Sequence, residues 1–212
     1  KNPLNGILGG TQLLMMGELD EDQKQVLTMM SDAGRQMVKM LDNSFDYLKM
    51  EDGTYKPHFE RLSLQDVLHM VETEVSEYAA QEGIELRFLF DGGSLERAED
   101  ITVPGEKHHL VNMLVNLLRN AIEASESEYA VTLAVEACND ARNVYLDIHN
   151  QGVVPENIRD NFFDRYVTSG KKNGTGLGTY LAKLVTEFHG GQIDFTTKEK
   201  EGTHLKIWLP CG

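Results

Sequence analysis

Apolar residues recur with the period of an α-helix along the first fifty positions of the chain. A first stripe contains Leu4, Ile7, Leu8, Leu14 and Met15. A second stripe contains Val26, Met29, Met30, Ala33, Met37, Met40, Leu41, Phe45 and Leu48. The acidic turn between them, "GELDED" at 17–22, suits the positive N-terminal end of a helix dipole. The pattern therefore predicts two helices joined as a hairpin, the second of about seven turns.

The predicted hairpin carries more apolar surface than its two helices can bury against each other. We expect it to pair with a second copy of the chain, forming a homodimer built on a four-helix bundle. The alternative is that the second stripe packs against the rest of its own chain.

A change of pattern after the hairpin indicates a domain boundary. Residues 51–63, "EDGTYKPHFERLS", contain turn formers and no helical period, so we divide the chain into domains at 1–55 and 56–212. Beyond the boundary, the pattern predicts helices at 64–80, within 101–125 and at 180–188, strands at 84–90, 130–138 and 143–150, and a closing hairpin at 190–210. This order predicts an α+β sandwich with one mostly antiparallel sheet and helices on one face.

The charge balance restricts the partners of the protein. The chain has 34 acidic and 20 basic residues and a formal net charge of -14, which disfavours binding to nucleic acid or to an anionic membrane surface. Cys138 and Cys211 form neither a disulfide framework nor a metal-ligand spacing, so we expect a reducing, cytoplasmic location. No apolar run is long enough to cross a bilayer, although an upstream membrane or sensor segment stays possible.

A glycine motif, "GTGLG" at 174–178, precedes the helix predicted at 180–188. Glycines at a helix entry let backbone N–H groups approach a phosphate closely. A Walker P-loop would end in Gly-Lys-Ser/Thr, whereas residues 178–180 are Gly-Thr-Tyr. A dinucleotide fold would place the motif directly after a parallel strand, but "VTSGKKN" has the composition of a loop. The motif alone indicates either an unclassified phosphate site or a plain helix-entry turn.

Two asparagines, Asn116 and Asn120, lie four residues apart in "NLLRNAIEA" and therefore on one face of a helix. Asparagine favours caps and turns over helix interiors, so two of them in mid-helix suggest a binding role. The alternative is that they are exposed polar residues of an amphipathic helix. Farther along, "HNQGVVP" at 149–155 ends a strand in a glycine turn.

The order of these motifs resembles that of sensor histidine kinases of two-component systems. "NLLRNAIEA", "NQG", "FFDRYVTSGK", "GTGLG" and "EGTHL" are similar to the asparagine, first glycine, phenylalanine, second glycine and last glycine boxes of that family. "KNPLNGILGGTQLL" at the N-terminus is similar to the end of its histidine box. The resemblance covers nearly the whole chain and implies a Bergerat-type ATP-binding domain behind a dimerisation and phosphotransfer hairpin.

The resemblance implies that the chain binds ATP and Mg²⁺. Asn120 would hold Mg²⁺ through its amide oxygen, and Asn116 would reach the phosphates. Arg119 would bring positive charge to a phosphate, unless it is only a solvated charge on the helix. The implied nucleotide-binding residues are Asn116, Arg119, Asn120, Asn150, Gly152, Tyr166, Thr168, Lys171, Gly174, Thr175, Gly176, Leu177, Gly178 and Thr203.

Two positions depart from the family pattern. Asn150 stands where the family has an aspartate that accepts a hydrogen bond from the adenine amino group, and the second glycine of that box is absent. Glu123 stands where many relatives have lysine, which Arg119 and Lys171 would replace. Three possibilities follow: ordinary ATP binding, an altered nucleotide preference, or a degenerate kinase. We favour ordinary ATP binding because the other boxes are intact.

The family's phosphoacceptor histidine would fall three residues before Lys1, so we expect this chain to bind ATP without phosphorylating itself. The family mechanism would pass the phosphoryl group from that histidine to an aspartate of a response-regulator receiver domain. Asn2, one helical turn after the histidine, would orient the water that dephosphorylates the regulator, or is an exposed residue before Pro3. The rival functions are a non-catalytic dimeric scaffold and a gyrase- or chaperone-type ATPase.

Overall fold

The computed structural model describes residues 2–17, 19–91, 93, 101–127, 129–137, 143–168 and 176–211. The chain divides into two compact units, Lys1–Tyr55 and Lys56–Gly212. Every helix among the described residues is too short or too polar to cross a lipid bilayer.

The first unit is a helical hairpin of α1, Asn2–Met15, and α2, Glu21–Glu51. A capping box starts α2: Asp20 accepts a 2.8 Å hydrogen bond from the Gln23 backbone N–H, and the Gln23 side chain accepts one of 3.2 Å from the Asp20 N–H. A Cβ at Gly34 would lie 2.7 Å from the Leu8 side chain, so glycine at this position allows α1 and α2 to approach closely.

Most of the second apolar stripe lies on the surface of α2. The exposed fractions of its side chains range from 41% at Leu41 to 65% at Met29. The other large exposed members are Val26, Met30, Met37, Phe45 and Leu48.

The second unit is an α+β domain, which confirms the fold class predicted from the sequence. Its elements in chain order are β1 Glu60–Ser63, α3 Leu64–Glu82, β2 Glu85–Phe90, β3 Thr102–Gly105, α4 Lys107–Glu123, β4 Ala130–Ala137, β5 Asn143–Asn150, a 3-10 helix Glu156–Asn161, α5 Gly178–Phe188, β6 Gln192–Lys198 and β7 Gly202–Pro210.

Five strands form the main sheet in the order β2-β4-β5-β7-β6, and β1 and β3 form a separate two-stranded sheet. Among the described strands of the main sheet, β2 and β4 are parallel, and the other neighbouring pairs are antiparallel. The alternate residues of β5 face the core, so Val144, Leu146 and Ile148 are fully buried. The helix α4 packs between α3 and α5 against this face, with Leu117 and Leu118 buried. This packing directs the other side of α4 away from the core.

His58 and Phe59, near the start of the second unit, contact residues just before α4 and just after α5. The Glu106 carboxylate accepts a 2.7 Å hydrogen bond from the His58 backbone N–H. The Phe59 ring stacks on the His189 ring with their centroids 5.1 Å apart. The His189 Nε2 accepts a 3.2 Å hydrogen bond from the Glu106 N–H.

Candidate nucleotide-binding site

A cavity of about 360 Å³ opens between the C-terminal half of α4, the segment after β5 and the start of α5. The residues that line it are Asn116, Arg119, Asn120, Ala121, Glu123, Ala124, Asn150, Gly152, Val153, Val154, Pro155, Ile158, Phe162, Val167, Thr168, Gly176, Gly178, Thr179, Thr203 and Leu205.

The polar face of α4 forms one wall of this cavity. Asn116 and Asn120 both contribute to it, because the fully buried Leu117 and Leu118 direct the opposite face of the helix into the core. The two amides in mid-helix therefore face a space large enough for a ligand.

The rim of this wall carries a small charged cluster. The Arg119 guanidinium lies 5.0 Å from the centroid of the Tyr78 ring, a distance typical of a cation–π contact. The Tyr78 hydroxyl donates a 3.3 Å hydrogen bond to the Glu123 carboxylate. Desolvation and then the negative charge of Glu123 raise the pKa of Tyr78, so its hydroxyl stays a donor.

The N-terminus of α5 approaches the same amides. A Cβ at Gly178 would lie 3.0 Å from the Asn120 Nδ2 atom, so a side chain there would crowd the amide. Gly176, two residues before α5, has a φ of +65°. Its carbonyl accepts a 2.9 Å hydrogen bond from the backbone N–H of Tyr166. The first backbone N–H groups of a helix have no partner within the helix, so a helix N-terminus is suited to binding an anion.

The opposite end of the cavity is buried and mostly apolar. Asn150 and Thr203 are each 4% exposed and lie side by side on β5 and β7, where they are paired in the sheet register. The Thr203 hydroxyl donates a 2.7 Å hydrogen bond to the Gly152 carbonyl, and the Asn150 amide approaches the same oxygen at 3.4 Å. The apolar neighbours at the cavity wall are Val153, Val154, Ile158, Phe162 and Leu205.

Gly152 fixes the separation between the loop after β5 and the end of α4. A Cβ at this position would lie 2.0 Å from the Ala124 carbonyl oxygen, a distance that no packing of backbone and side chain tolerates. The glycine therefore allows the two walls to meet beside Asn150.

The structure brings most of the residues proposed from sequence to this one cavity. Those that line it are Asn116, Arg119, Asn120, Asn150, Gly152, Thr168, Gly176, Gly178 and Thr203. Tyr166 and Leu177 are not among the lining residues, and the Tyr166 side chain is 73% exposed. Lys171, Gly174, Thr175 and the Asn2 side chain lie outside the described residues.

The apolar part of the lining was not proposed from the sequence. Ile158 belongs to the 3-10 helix, and Phe162 follows it directly. Their apolar character alone gives no signal, because the same residue types fill the core. Phe162 packs on Phe195 with ring centroids 4.3 Å apart, so it serves both the cavity and the core.

Two family models match the chain in succession. Residues 1–53 match the His Kinase A (phospho-acceptor) domain, and residues 105–212 match the histidine kinase-, DNA gyrase B- and HSP90-like ATPase. The ATPase model describes three kinds of protein, and the match to the His Kinase A domain identifies the histidine kinases as the relevant one.

The chain belongs to the sensor histidine kinases.

Curated relatives of this histidine kinase chain are longer proteins. The sensory/regulatory protein RpfC of Xanthomonas campestris is 27% identical over 223 residues, which cover 100% of this chain and 30% of RpfC. Histidine kinase 5 of Arabidopsis thaliana is 24% identical, with 99% of this chain and 25% of the relative covered. The chain thus spans less than a third of the length of these relatives.

Solved structures of histidine kinases share the fold. Full-length ShkA in complex with AMPPNP superposes with a TM-score of 0.74 at 20% identity, covering 100% of this chain and 43% of ShkA. The Acinetobacter baumannii histidine kinase AdeS gives a TM-score of 0.63 at 16% identity, with 98% and 94% of the two chains covered.

ATP binding and two-component signal transduction are the activities of this family.

Proposed function

We propose that this chain is the catalytic core of a sensor histidine kinase that binds Mg-ATP in the cavity beside α4 and transfers its γ-phosphoryl group to a histidine. The observation that supports the proposal is the meeting of three features at one cavity. These are the amides of Asn116 and Asn120, the N-terminus of α5, and a buried end with Asn150 and Thr203.

The two ends of the cavity match the two ends of a nucleotide. The purine base would occupy the buried end, where Val154, Ile158 and Leu205 offer apolar surface and Asn150 offers a hydrogen bond. The phosphates would extend to the N-terminus of α5, whose backbone N–H groups and dipole favour negative charge.

Asn150 would accept a hydrogen bond from the amino group of adenine through its amide oxygen. A neutral amide is a weaker acceptor than a carboxylate, so we expect this bond to be weaker by about 1 kcal/mol than that of an aspartate. Compared with the family's aspartate, Asn150 would make a weaker hydrogen bond, but it would still accept from the adenine amino group.

The residues of α4 fit a magnesium ion. Mg²⁺ prefers oxygen ligands and keeps several waters, and Asn116 and Asn120 bring neutral amide oxygens to the phosphate end of the cavity. An ion bound there would neutralise part of the negative charge of the phosphates. Arg119 would complement it after leaving the Tyr78 ring, and Glu123 would remain held by the Tyr78 hydroxyl.

The chemical step is a phosphoryl transfer that depends on positioning and charge. The imidazole of a histidine, three residues before Lys1 in the parent protein, would attack the γ-phosphorus in line, and ADP would leave. The phosphoryl group would then pass to an aspartate of a response-regulator receiver domain. Asn2 would orient the water that hydrolyses the phosphoryl group from the regulator aspartate, which releases inorganic phosphate.

The hairpin would hold two chains together during this transfer. The exposed apolar stripe on α2, with Val26, Met30, Met37, Leu41 and Phe45 between 41% and 57% exposed, has the spacing of a four-helix bundle seam. A homodimer through this surface is therefore part of the proposal.

A second candidate function is a non-catalytic kinase-like scaffold whose nucleotide site only biases conformation. Asn150 and Glu123 favour it, because one weakens the contact with the base and the other puts a carboxylate on the cavity wall where many relatives have lysine.

Phosphotransfer by a longer chain that includes the upstream histidine separates the two candidates. With radiolabelled ATP and Mg²⁺ we expect label on that histidine, lost in Asn120→Ala. The matched control is Asn112→Ala, two turns earlier on α4 and not a lining residue, which should retain labelling. An unlabelled longer chain that still binds Mg-ATP would favour the scaffold.

A further inference from the structure

Asn150 is a polar side chain at the buried end of the cavity and is available for a hydrogen bond to a base. Asn150 is 4% exposed and ends β5. Among the described residues, the hydrogen bond that its side chain makes is the long one of 3.4 Å from Nδ2 to the Gly152 carbonyl. Protein N–H···O bonds cluster near 2.9–3.0 Å, so this contact restrains the amide only weakly.

The hydroxyl proton of the neighbouring Thr203 is already used in a hydrogen bond within the protein. The Val154 N–H donates to the Thr197 hydroxyl oxygen at 3.0 Å, which lies 2.9 Å from the Thr203 hydroxyl. Since Thr203 donates its own proton to the Gly152 carbonyl at 2.7 Å, the Thr197 proton must point to Thr203. This directed chain uses the Thr203 proton, so Thr203 can only accept from a base, and Asn150 is the one of the two side chains that can also donate.

A carboxamide and a carboxylate read a purine edge differently. An ionised carboxylate only accepts hydrogen bonds, whereas asparagine offers one accepting oxygen and one donating NH₂ group. Adenine presents an amino donor at its position 6, and guanine presents an oxygen acceptor at the same position. A carboxylate would place two oxygens against each other with a 6-oxopurine, but a carboxamide turned by half a rotation would donate to that oxygen.

We propose that Asn150 makes the base site permissive, so that it binds 6-oxopurine nucleotides, those of guanine and hypoxanthine, about as well as adenine nucleotides. This inference rests on the proposed nucleotide site. Turning the amide replaces the long 3.4 Å contact from Nδ2 to the Gly152 carbonyl with an equally long approach of two oxygens, while the Gly152 carbonyl keeps its 2.7 Å bond from Thr203. Because the contact that is lost is long and weak, we expect the new hydrogen bond to the 6-oxo group to offset this cost.

Binding of diphosphates by calorimetry tests the proposal on this chain. ADP and inosine diphosphate are a matched pair, because they differ only at the purine edge that would face Asn150, and GDP adds the exocyclic amino group. We expect inosine diphosphate and GDP to bind within about tenfold of ADP. In Asn150→Asp the ratio of each dissociation constant to that of ADP should rise at least tenfold, because the new carboxylate repels the 6-oxo group.

Two results would overturn the permissive site. One is a wild-type chain that binds either 6-oxopurine more than tenfold more weakly than ADP, and this result needs no variant. The other is a folded Asn150→Asp chain with unchanged ratios. Failure of the underlying function looks different, because then ADP itself would not bind to the folded wild-type chain.

Discussion

The Thr203 hydroxyl donates a 2.7 Å hydrogen bond to the carbonyl oxygen of Gly152, 51 residues earlier in the chain. The bond joins the start of β7 to the loop after β5 at the buried end of the cavity. Because Asn150 and Thr203 are paired in the sheet register, the sheet itself positions both groups. The base end of the proposed site is therefore built on strands, whereas its phosphate end is built on two helices.

Removal of this hydroxyl should weaken both the fold and the site. We expect Thr203→Val to lower the free energy of unfolding by about 1 kcal/mol, since the partly buried Gly152 carbonyl loses its short bond from the buried Thr203 hydroxyl. Urea unfolding followed by the fluorescence of Trp208, the one tryptophan of the chain, measures this change in the second unit. Thr203→Ser retains the hydroxyl and is the control; equal stabilities of the two variants would contradict the role of the bond.

Gly152→Ala should be more damaging, because its Cβ would lie 2.0 Å from the Ala124 carbonyl oxygen. The added atom would meet backbone and not the end of a flexible side chain, so we expect a loss of about 2 kcal/mol or more in unfolding free energy. The same substitution at Gly9, where a Cβ would meet nothing within 4 Å, should leave the Trp208 transition unchanged. A Gly152→Ala chain as stable as the wild type would show that these walls move apart easily.

Protonation of His189 should destabilise the second unit at acidic pH. Its Nε2 accepts from the Glu106 N–H and its Nδ1–H donates to the Val185 carbonyl at 2.8 Å, so the buried ring is neutral. Burial lowers the pKa of His189 from its usual 6.5. The unfolded chain therefore binds the proton more readily, and stability is complete above the unfolded pKa and declines as the pH falls through it.

His189→Gln removes this titration. Between about pH 7.5 and 5.5, the wild type should lose about 1 kcal/mol more of its unfolding free energy than the variant loses. The measurement is urea unfolding of both chains at the two pH values. Parallel losses in wild type and His189→Gln would mean that His189 does not titrate differently on folding.

The stripe on α2 should control the oligomeric state. Met30 is 49% exposed, and Met30→Glu would place a charge in the proposed seam between two chains. We expect the dimer dissociation constant, measured by sedimentation velocity, to rise at least tenfold, since an unpaired charge is costly to bury. Thr28→Glu adds the same charge on the other side of α2 and should preserve the dimer. A monomeric wild-type chain would refute the seam.

The sequence was sufficient to predict the long elements and the shared face of Asn116 and Asn120. The 3.6-residue period of α4 places these two amides on one face, a local consequence of helix geometry that can be derived without knowledge of the rest of the chain. Asn150 was proposed from the resemblance to sensor histidine kinases, and its burial at the end of β5 is a finding of the structure.

The remaining features depend on long-range packing that periodicity does not encode. Strand β1 has four residues and one buried side chain, Leu62, so only its pairing with β3 makes it a strand. Tyr166 adopts a φ of +64° beside Gly176, a left-handed conformation that is rare outside glycine. Its side chain is 73% exposed, which no feature of "FFDRYVTSGK" indicated.

The central claim is that the cavity beside α4 is a Mg-ATP site that depends on Asn120. Calorimetric titration of this chain with ATP and Mg²⁺ tests it most directly, together with Asn120→Ala and the control Asn112→Ala. The account predicts saturable binding by the wild type and by Asn112→Ala, and none by a folded Asn120→Ala. A folded wild-type chain that binds no Mg-ATP, or an Asn120→Ala chain that binds as tightly as the wild type, would contradict it.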